Sequence, residues 1–227
     1  MAGTDDWLSV ARAEDPDEVR ERILTGYRDG KPFTPYVPTV ALPAAVGRVL
    51  DFGCGLGRNF PYLATIAREV VGFDLPPMIE KCRTHAPQPV ALLTSDWPEV
   101  AAHPYDLIVA TLVLQHIETA ACLAYLEDFA RLAPLTYLLT RVRSDFDANV
   151  LQLVGDTGRF DAEECVEVDH DPATHQLRVL GRERFDTLRL AADGGHYEVV
   201  LRSRLRVNGG ITGACDPESL ESTRRRL

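Results

Sequence analysis

The hydrophobic positions of this chain change their spacing near residue 47. Beyond it, short β-branched and leucine-rich runs alternate with stretches whose apolar residues recur every three or four positions. "RVLDF" predicts a buried strand, and "NFPYLATIAREV" a helix whose first turn tolerates Pro61. "VVGFD" predicts the second strand, "PPMIEKCRTHA" the helix after it, and "VALLTSD" the third strand. "YDLIVATLVL" predicts a fourth strand, "TAACLAYLEDFARLA" an amphipathic helix, and "TYLLTRV" a fifth strand. Strands and helices alternating at this spacing predict a parallel sheet with helices on both faces.

The alternation stops after Arg143. "ECVEVDHDPATHQLRVLG" predicts a hairpin turning at Asp171 and Pro172, "RERFDTLRLA" a helix, and "HYEVVLRSRLRV" a long final strand after a "DGG" turn. The fold expected is therefore α/β and doubly wound: a mostly parallel seven-stranded sheet with an antiparallel C-terminal edge. Upstream, "DPDEVRERILTGYRDG" predicts a helix capped by Asp15, with Pro16 at its first position. "KPFTPYVPTVALP" has prolines at 32, 35, 38 and 43, which suit an extended connector. Residues 1–46 are then a helical cap and connector, 47–207 the main domain, and 208–227 a tail.

Composition narrows the function. At 227 residues, 45% of them hydrophobic, the chain can bury one substantial core. Its net charge of −10 argues against a nucleic-acid or membrane-surface partner. Arg224, Arg225 and Arg226 form the dense basic run, which reads as a solvated tail. The five cysteines, at 54, 82, 122, 165 and 215, form no CxxC pair and predict reduced thiols. No apolar run approaches the roughly 20 residues of a membrane helix. The N-terminus lacks a basic stretch followed by an apolar one, so a cytoplasmic location is expected.

The candidate chemistry begins where the first strand ends. In "DFGCGLGRNF" three glycines, Gly53, Gly55 and Gly57, occupy the strand-to-helix turn where open α/β sheets bind ligands. Arg58 stands where a dinucleotide-binding turn would place its third glycine, and no G-K-[ST] follows. Asp51 opposes a pyrophosphate but suits an amine. Asp74, ending the second strand, can accept both hydroxyl protons of a ribose, or else cap the next helix. Asp96 and Trp97, ending the third, can accept from a purine amine and cover a purine face. An amino-acid site, a ribose site and a purine site on successive strand ends describe S-adenosylmethionine.

"VLDFGCGLGRNF", "VVGFDLPPMIEKC", "TSDW" and "YDLIVATLVLQHI" together resemble the ordered motifs of class I S-adenosylmethionine-dependent methyltransferases, over residues 49–142. The resemblance implies that the turn carrying Gly53, Cys54, Gly55 and Gly57 holds the methionine part and Asp74 the ribose. It implies that Asp96 and Trp97 flank the adenine, and that Thr111 and Leu112 line the methionine side. Pro76 and Pro77 depart from the usual D-x-S-x-x-M-L pattern around the expected contacts Leu75 and Met78. "LAPLTYLL" lacks the Pro-Gly-Gly often found before the fifth strand.

The acceptor side carries fewer signals. His116 follows the fourth strand, where it can deprotonate an acceptor or simply pack. Tyr27, Phe33 and Tyr36 are either a cover over the crevice or local packing, with Tyr27 and Tyr36 the candidate acceptor contacts. Residues 144–162 lack a continuous apolar stripe and carry three aspartates before Gly158, which predicts a closing loop with an acidic rim. Such a rim favours a neutral or amine-bearing acceptor. Cys54 reads as a small buried residue. Glu163, Glu164, Cys165, His170 and His175 match no zinc spacing, and no metal is expected. The expected activity is methyl transfer to a small molecule. A cofactor-binding module without turnover and a nicotinamide-dependent oxidoreductase are the alternatives.

Overall fold

A computed structural model describes residues 36–86, 89–142, 149–170, 176–185 and 194–205, together with Ser9, Arg12 and Ala13. The expected N-terminal helix, Tyr27, Phe33, the turn at Asp171 and Pro172, His175, most of "RERFDTLRLA", and the tail with Cys215 lie outside the described residues.

Eight strands form one sheet in the order β3-β2-β1-β4-β5-β8-β6-β7. They are β1 (Val46–Phe52), β2 (Ala67–Phe73), β3 (Leu92–Thr94), β4 (Leu107–Thr111), β5 (Leu135–Arg141), β6 (Phe160–His170), β7 (Leu177–Arg182) and β8 (His196–Ser203). The first five run parallel, and β8, β6 and β7 add an antiparallel edge. The expected seven strands become eight because both arms of the hairpin β6–β7 join the sheet. Val179 and Leu180 of its outer arm stay exposed.

The helices are α1 (Phe60–Ile66), α2 (Pro76–His85), α3 (Trp97–Ala101), α4 (Thr119–Leu132) and α5 (Val150–Thr157). Two depart from expectation. The helix expected over residues 59–70 stops at Ile66, and β2 starts at once with Ala67 opposite Val46. Pairing wins over helix propensity there: Glu69 sits opposite Arg48, whose Nε donates to it at 2.8 Å. The expected closing loop at 144–162 is corrected over residues 149–162, while residues 144–148 lie outside the described residues. Asn149 accepts from the Gln152 amide to cap α5, Val150, Leu151 and Val154 bury its inner face, and Gly158 ends it at φ 60°. Three apolar residues within one turn and a half are stripe enough for so short a helix.

Two apolar layers sandwich the sheet. On one face, α4 and α5 pack on Leu50, Phe52, Ile108, Leu138 and Val199. On the other, α1, α2, Tyr36 and Val40 cover Val49, Val109, Tyr137, Leu139 and Val200. Because residues alternate along a strand, Asp51, Thr111, Arg141 and Glu198 all belong to this second face.

Candidate active site

The crossovers leave β1 in opposite directions, toward β2 and toward β4, so a crevice opens above its carboxyl end. Its floor is the glycine turn. Gly53, Gly55 and Gly57 have φ of 74°, 56° and 79°, in the left-handed region that glycine tolerates best. Packing adds a second reason. A Cβ on Gly53 would lie 2.4 Å from Val113 Cγ2, and one on Gly57 2.4 Å from the Phe60 ring. The turn is thus pressed against the residues after β4 and the first ring of α1.

Asp74 ties that turn to the end of β2. Its carboxylate accepts from the Gly55 and Leu75 amides, each at 2.7 Å. Burial pushes its pKa up to about 6, against the lowering effect of those two amides. Beneath the turn, Met78 is buried against Leu56, with Leu75 packed beside them. Lys81 Nζ of the same helix donates to the Ala13 carbonyl at 2.7 Å.

Asp51 is fully buried. Asn59 Nδ2 donates to its Oδ1 at 3.3 Å and to Thr111 Oγ1 at 3.0 Å, linking β1 to β4 through the start of α1. Its Oδ2 has no hydrogen-bond partner among the described residues. Burial pushes the Asp51 pKa up to about 7; the Asn59 bond opposes this and the nearby Asp74 adds to it. Near neutrality this carboxyl sits between its two forms, and a cation beside it would draw it to the ionised one.

Beyond β4 the crevice changes character. Leu112 takes φ 54°, an uncommon conformation for leucine, with its amide bonded to the Leu139 carbonyl at 2.7 Å. His116 closes the short 3-10 turn Leu114–His116 and is partly buried. Buried Arg58 stands 4.6 Å from the centre of the Tyr36 ring, so the connector touches the residue that follows the glycines. Fully buried Glu198 of β8 anchors the same connector. Its carboxyl group accepts from the Thr39 amide at 3.0 Å, from the Thr39 hydroxyl, and from the Tyr137 hydroxyl at 2.6 Å. Burial and the adjacent Glu198 hold the Tyr137 phenol well above its ordinary pKa, so it stays a donor.

Asp96 is exposed at the start of α3, where its side chain makes no capping bond. The Trp97 ring is not a crevice wall. Its centre lies 4.9–6.2 Å from those of Phe52, Phe73, Tyr125 and Phe129, on the face opposite Asp51, and its Nε1 donates to Asp128 at 2.7 Å. Cys54 is buried, and a hydrogen bond with Cys82, together with burial, holds its pKa well above the thiol range. Glu163 pairs with Arg202 and Glu164 with Arg182, while Cys165 is buried. Among the described residues no helix is long and apolar enough to cross a membrane.

Comparison with known proteins fits this geometry. The family described as "Methyltransferase domain" matches residues 24–200. Among solved structures, the N-methyltransferase NodS of Bradyrhizobium japonicum WM9 in complex with S-adenosylhomocysteine is 16% identical, with a TM-score of 0.50. That likeness covers 90% of this chain and 94% of NodS. A putative S-adenosylmethionine-dependent methyltransferase from Listeria monocytogenes is 14% identical, also with a TM-score of 0.50, over 72% of this chain and 94% of that one. Both share the fold. No curated protein matches the chain. The matched span takes in the glycine turn, Asp51, Asp74 and the whole parallel sheet, and on it the chain belongs to the methyltransferase-domain family, as an enzyme that uses S-adenosylmethionine.

Proposed function

We propose that this methyltransferase modifies a small, water-soluble acceptor at a nucleophilic oxygen, nitrogen or carbon atom. The observation that carries the cofactor side of the reading is the buried Asp51 Oδ2, which has no hydrogen-bond partner among the described residues and lies beside a turn of three left-handed glycines. An unpartnered buried carboxylate oxygen fits the cofactor's ammonium group. Asp74 would take the ribose hydroxyls on lone pairs left over from its two backbone bonds, with Leu75 and Met78 shaping that side. The turn of Gly53, Cys54, Gly55 and Gly57 would cradle the methionine part, with Thr111 and Leu112 beside it. Asp96 would accept from the adenine amine, next to the Trp97 backbone. S-adenosylmethionine supplies an already electrophilic methyl carbon.

What remains for the chain is alignment, exclusion of water and proton removal. Leu112, held in its unusual conformation, sets the wall nearest the transfer. An imidazole nitrogen of His116 would take the acceptor's proton. Tyr36, with Tyr27 before it, would cover the acceptor, in a cap of residues 1–46 over a transfer domain of 47–207 and ahead of a tail at 208–227. The net charge of −10 supports a small acceptor over a nucleic acid, and a cytoplasmic setting suits one. Calorimetry with S-adenosylhomocysteine tests the cofactor side. Asp74→Ala should weaken binding by about 2–4 kcal/mol while the fold survives. Unchanged affinity would remove Asp74 from the ribose site.

A further inference from the structure

Arg141 ends β5 at the carboxyl edge of the sheet. Its neighbours across the strands place it. Thr111 pairs with Leu139, and Arg141 lies two residues further along β5, on the same face. Strand spacing and rise put the Thr111 and Arg141 Cα atoms about 8 Å apart. The side chain is partly buried, and its buried Nε has no hydrogen-bond partner among the described residues. His196 pairs with it across β8, and Glu198 lies one step lower on the same face. That carboxyl group is already engaged by Thr39 and Tyr137.

An arginine is charged at every pH the protein meets, and a buried donor without an acceptor is a cost that a bound anion removes. We infer that Arg141 anchors a carboxylate on the acceptor, holding it at the β5 end of the crevice with its nucleophile turned toward Thr111. The inference rests on the methyltransferase reading of that crevice. A carboxylate fits better than a phosphate: one planar guanidinium matches it in two parallel bonds and balances its single charge. It also reverses the acidic-rim expectation. Asp145 and Asp147 lie outside the described residues, and Asp156 is exposed on α5.

The experiment uses the full chain saturated with S-adenosylhomocysteine. Calorimetry measures binding of a panel of aliphatic and aromatic amino and hydroxy acids, each beside its primary amide, with matching phosphate monoesters as a third arm. Some acids should bind at least tenfold tighter than their amides. Arg141→Gln should erase that preference and move the affinity for S-adenosylhomocysteine alone less than twofold, while Arg141→Lys keeps part of it. The inference is overturned if no acid is preferred to its amide, if phosphate monoesters are preferred to acids, or if the preference survives Arg141→Gln. It is equally overturned if Arg141→Gln weakens S-adenosylhomocysteine tenfold, since Arg141 would then hold the cofactor's own carboxylate. Should Arg141→Gln fail to fold, Arg141→Lys must still narrow the acid-to-amide ratio. Failure of S-adenosylhomocysteine to bind the parent chain would instead remove the cofactor reading.

Discussion

The two halves of the crevice are built by different means. Over β1 and β2 the surface is backbone: a turn with three left-handed glycines, fastened by Asp74 to amides at residues 55 and 75. Over β5 and β8 it is side chains: partly buried Arg141 at the edge, above fully buried Tyr137 and Glu198, which hold Thr39 of the connector. A backbone cradle is rigid and admits one ligand shape, which suits a cofactor common to every turnover. A side-chain surface changes with single substitutions, which suits the proposed acceptor side. The halves meet where Tyr36 faces Arg58.

The largest effect should come from breaking the backbone half. Gly53→Ala forces a Cβ to within 2.4 Å of Val113 in a residue held at φ 74°. The left-handed strain costs about 1–2 kcal/mol and the overlap about 1–3 kcal/mol, so a loss of about 2–5 kcal/mol is expected on chemical denaturation. The surviving folded protein should bind S-adenosylhomocysteine poorly. A variant as stable as its parent would show that the turn is looser than its contacts imply.

A smaller effect should follow in the side-chain half. Glu198→Gln keeps the volume but turns an acceptor into a donor facing Thr39 and Tyr137, leaving one buried donor without a partner. That costs about 2 kcal/mol of stability. Affinity for S-adenosylhomocysteine should stay within twofold, because no residue of the cofactor half touches Glu198 among the described bonds. A tenfold loss would instead mean that the two halves are coupled through Thr39, Tyr36 and Arg58.

The same division decides what the sequence could disclose. The glycine turn, Asp51 and Asp74 are legible because each follows a strand whose apolar run announces it, so position along the chain gives position in space. Thr39 and Glu198 are 159 residues apart, and Tyr137 and Glu198 are 61 apart. No periodicity links them, and Glu198 reads in "HYEVVLRS" as one polar residue in a strand. Asn59 was missed for a milder reason: it reads as a helix start, yet its side chain bridges Asp51 and Thr111. The packing of the Trp97 ring against Phe52 and Phe129 was not legible, because an aromatic residue at a strand end signals burial without saying on which side. α5 was blurred by a short apolar run that only α4 completes.

The smallest effect, a pH dependence, separates the halves most cleanly. The folded-state pKa of Asp51 is raised from 3.8 to about 7 and that of Asp74 from 3.8 to about 6, both chiefly by burial. A raised carboxyl pKa means that the folded state holds its proton when the unfolded state has lost it. The contribution of these two carboxyls to the stability of the cofactor-free protein is therefore greatest below about pH 4, falls as pH rises, and is lost above about pH 7. Binding of an ammonium-bearing ligand has the opposite slope, because the partner at Asp51 must be ionised. Affinity for S-adenosylhomocysteine should rise about tenfold between pH 6 and pH 8, or about 1.4 kcal/mol, with protons released to the buffer. Calorimetry in two buffers of different ionisation enthalpy measures that release. Asp51→Asn, which cannot ionise, should bind more weakly at pH 8 and lose most of the slope, whereas Glu198→Gln should keep it. If Asp51→Asn keeps the full slope, the proton comes from elsewhere, and Asp51 does not face the ammonium group.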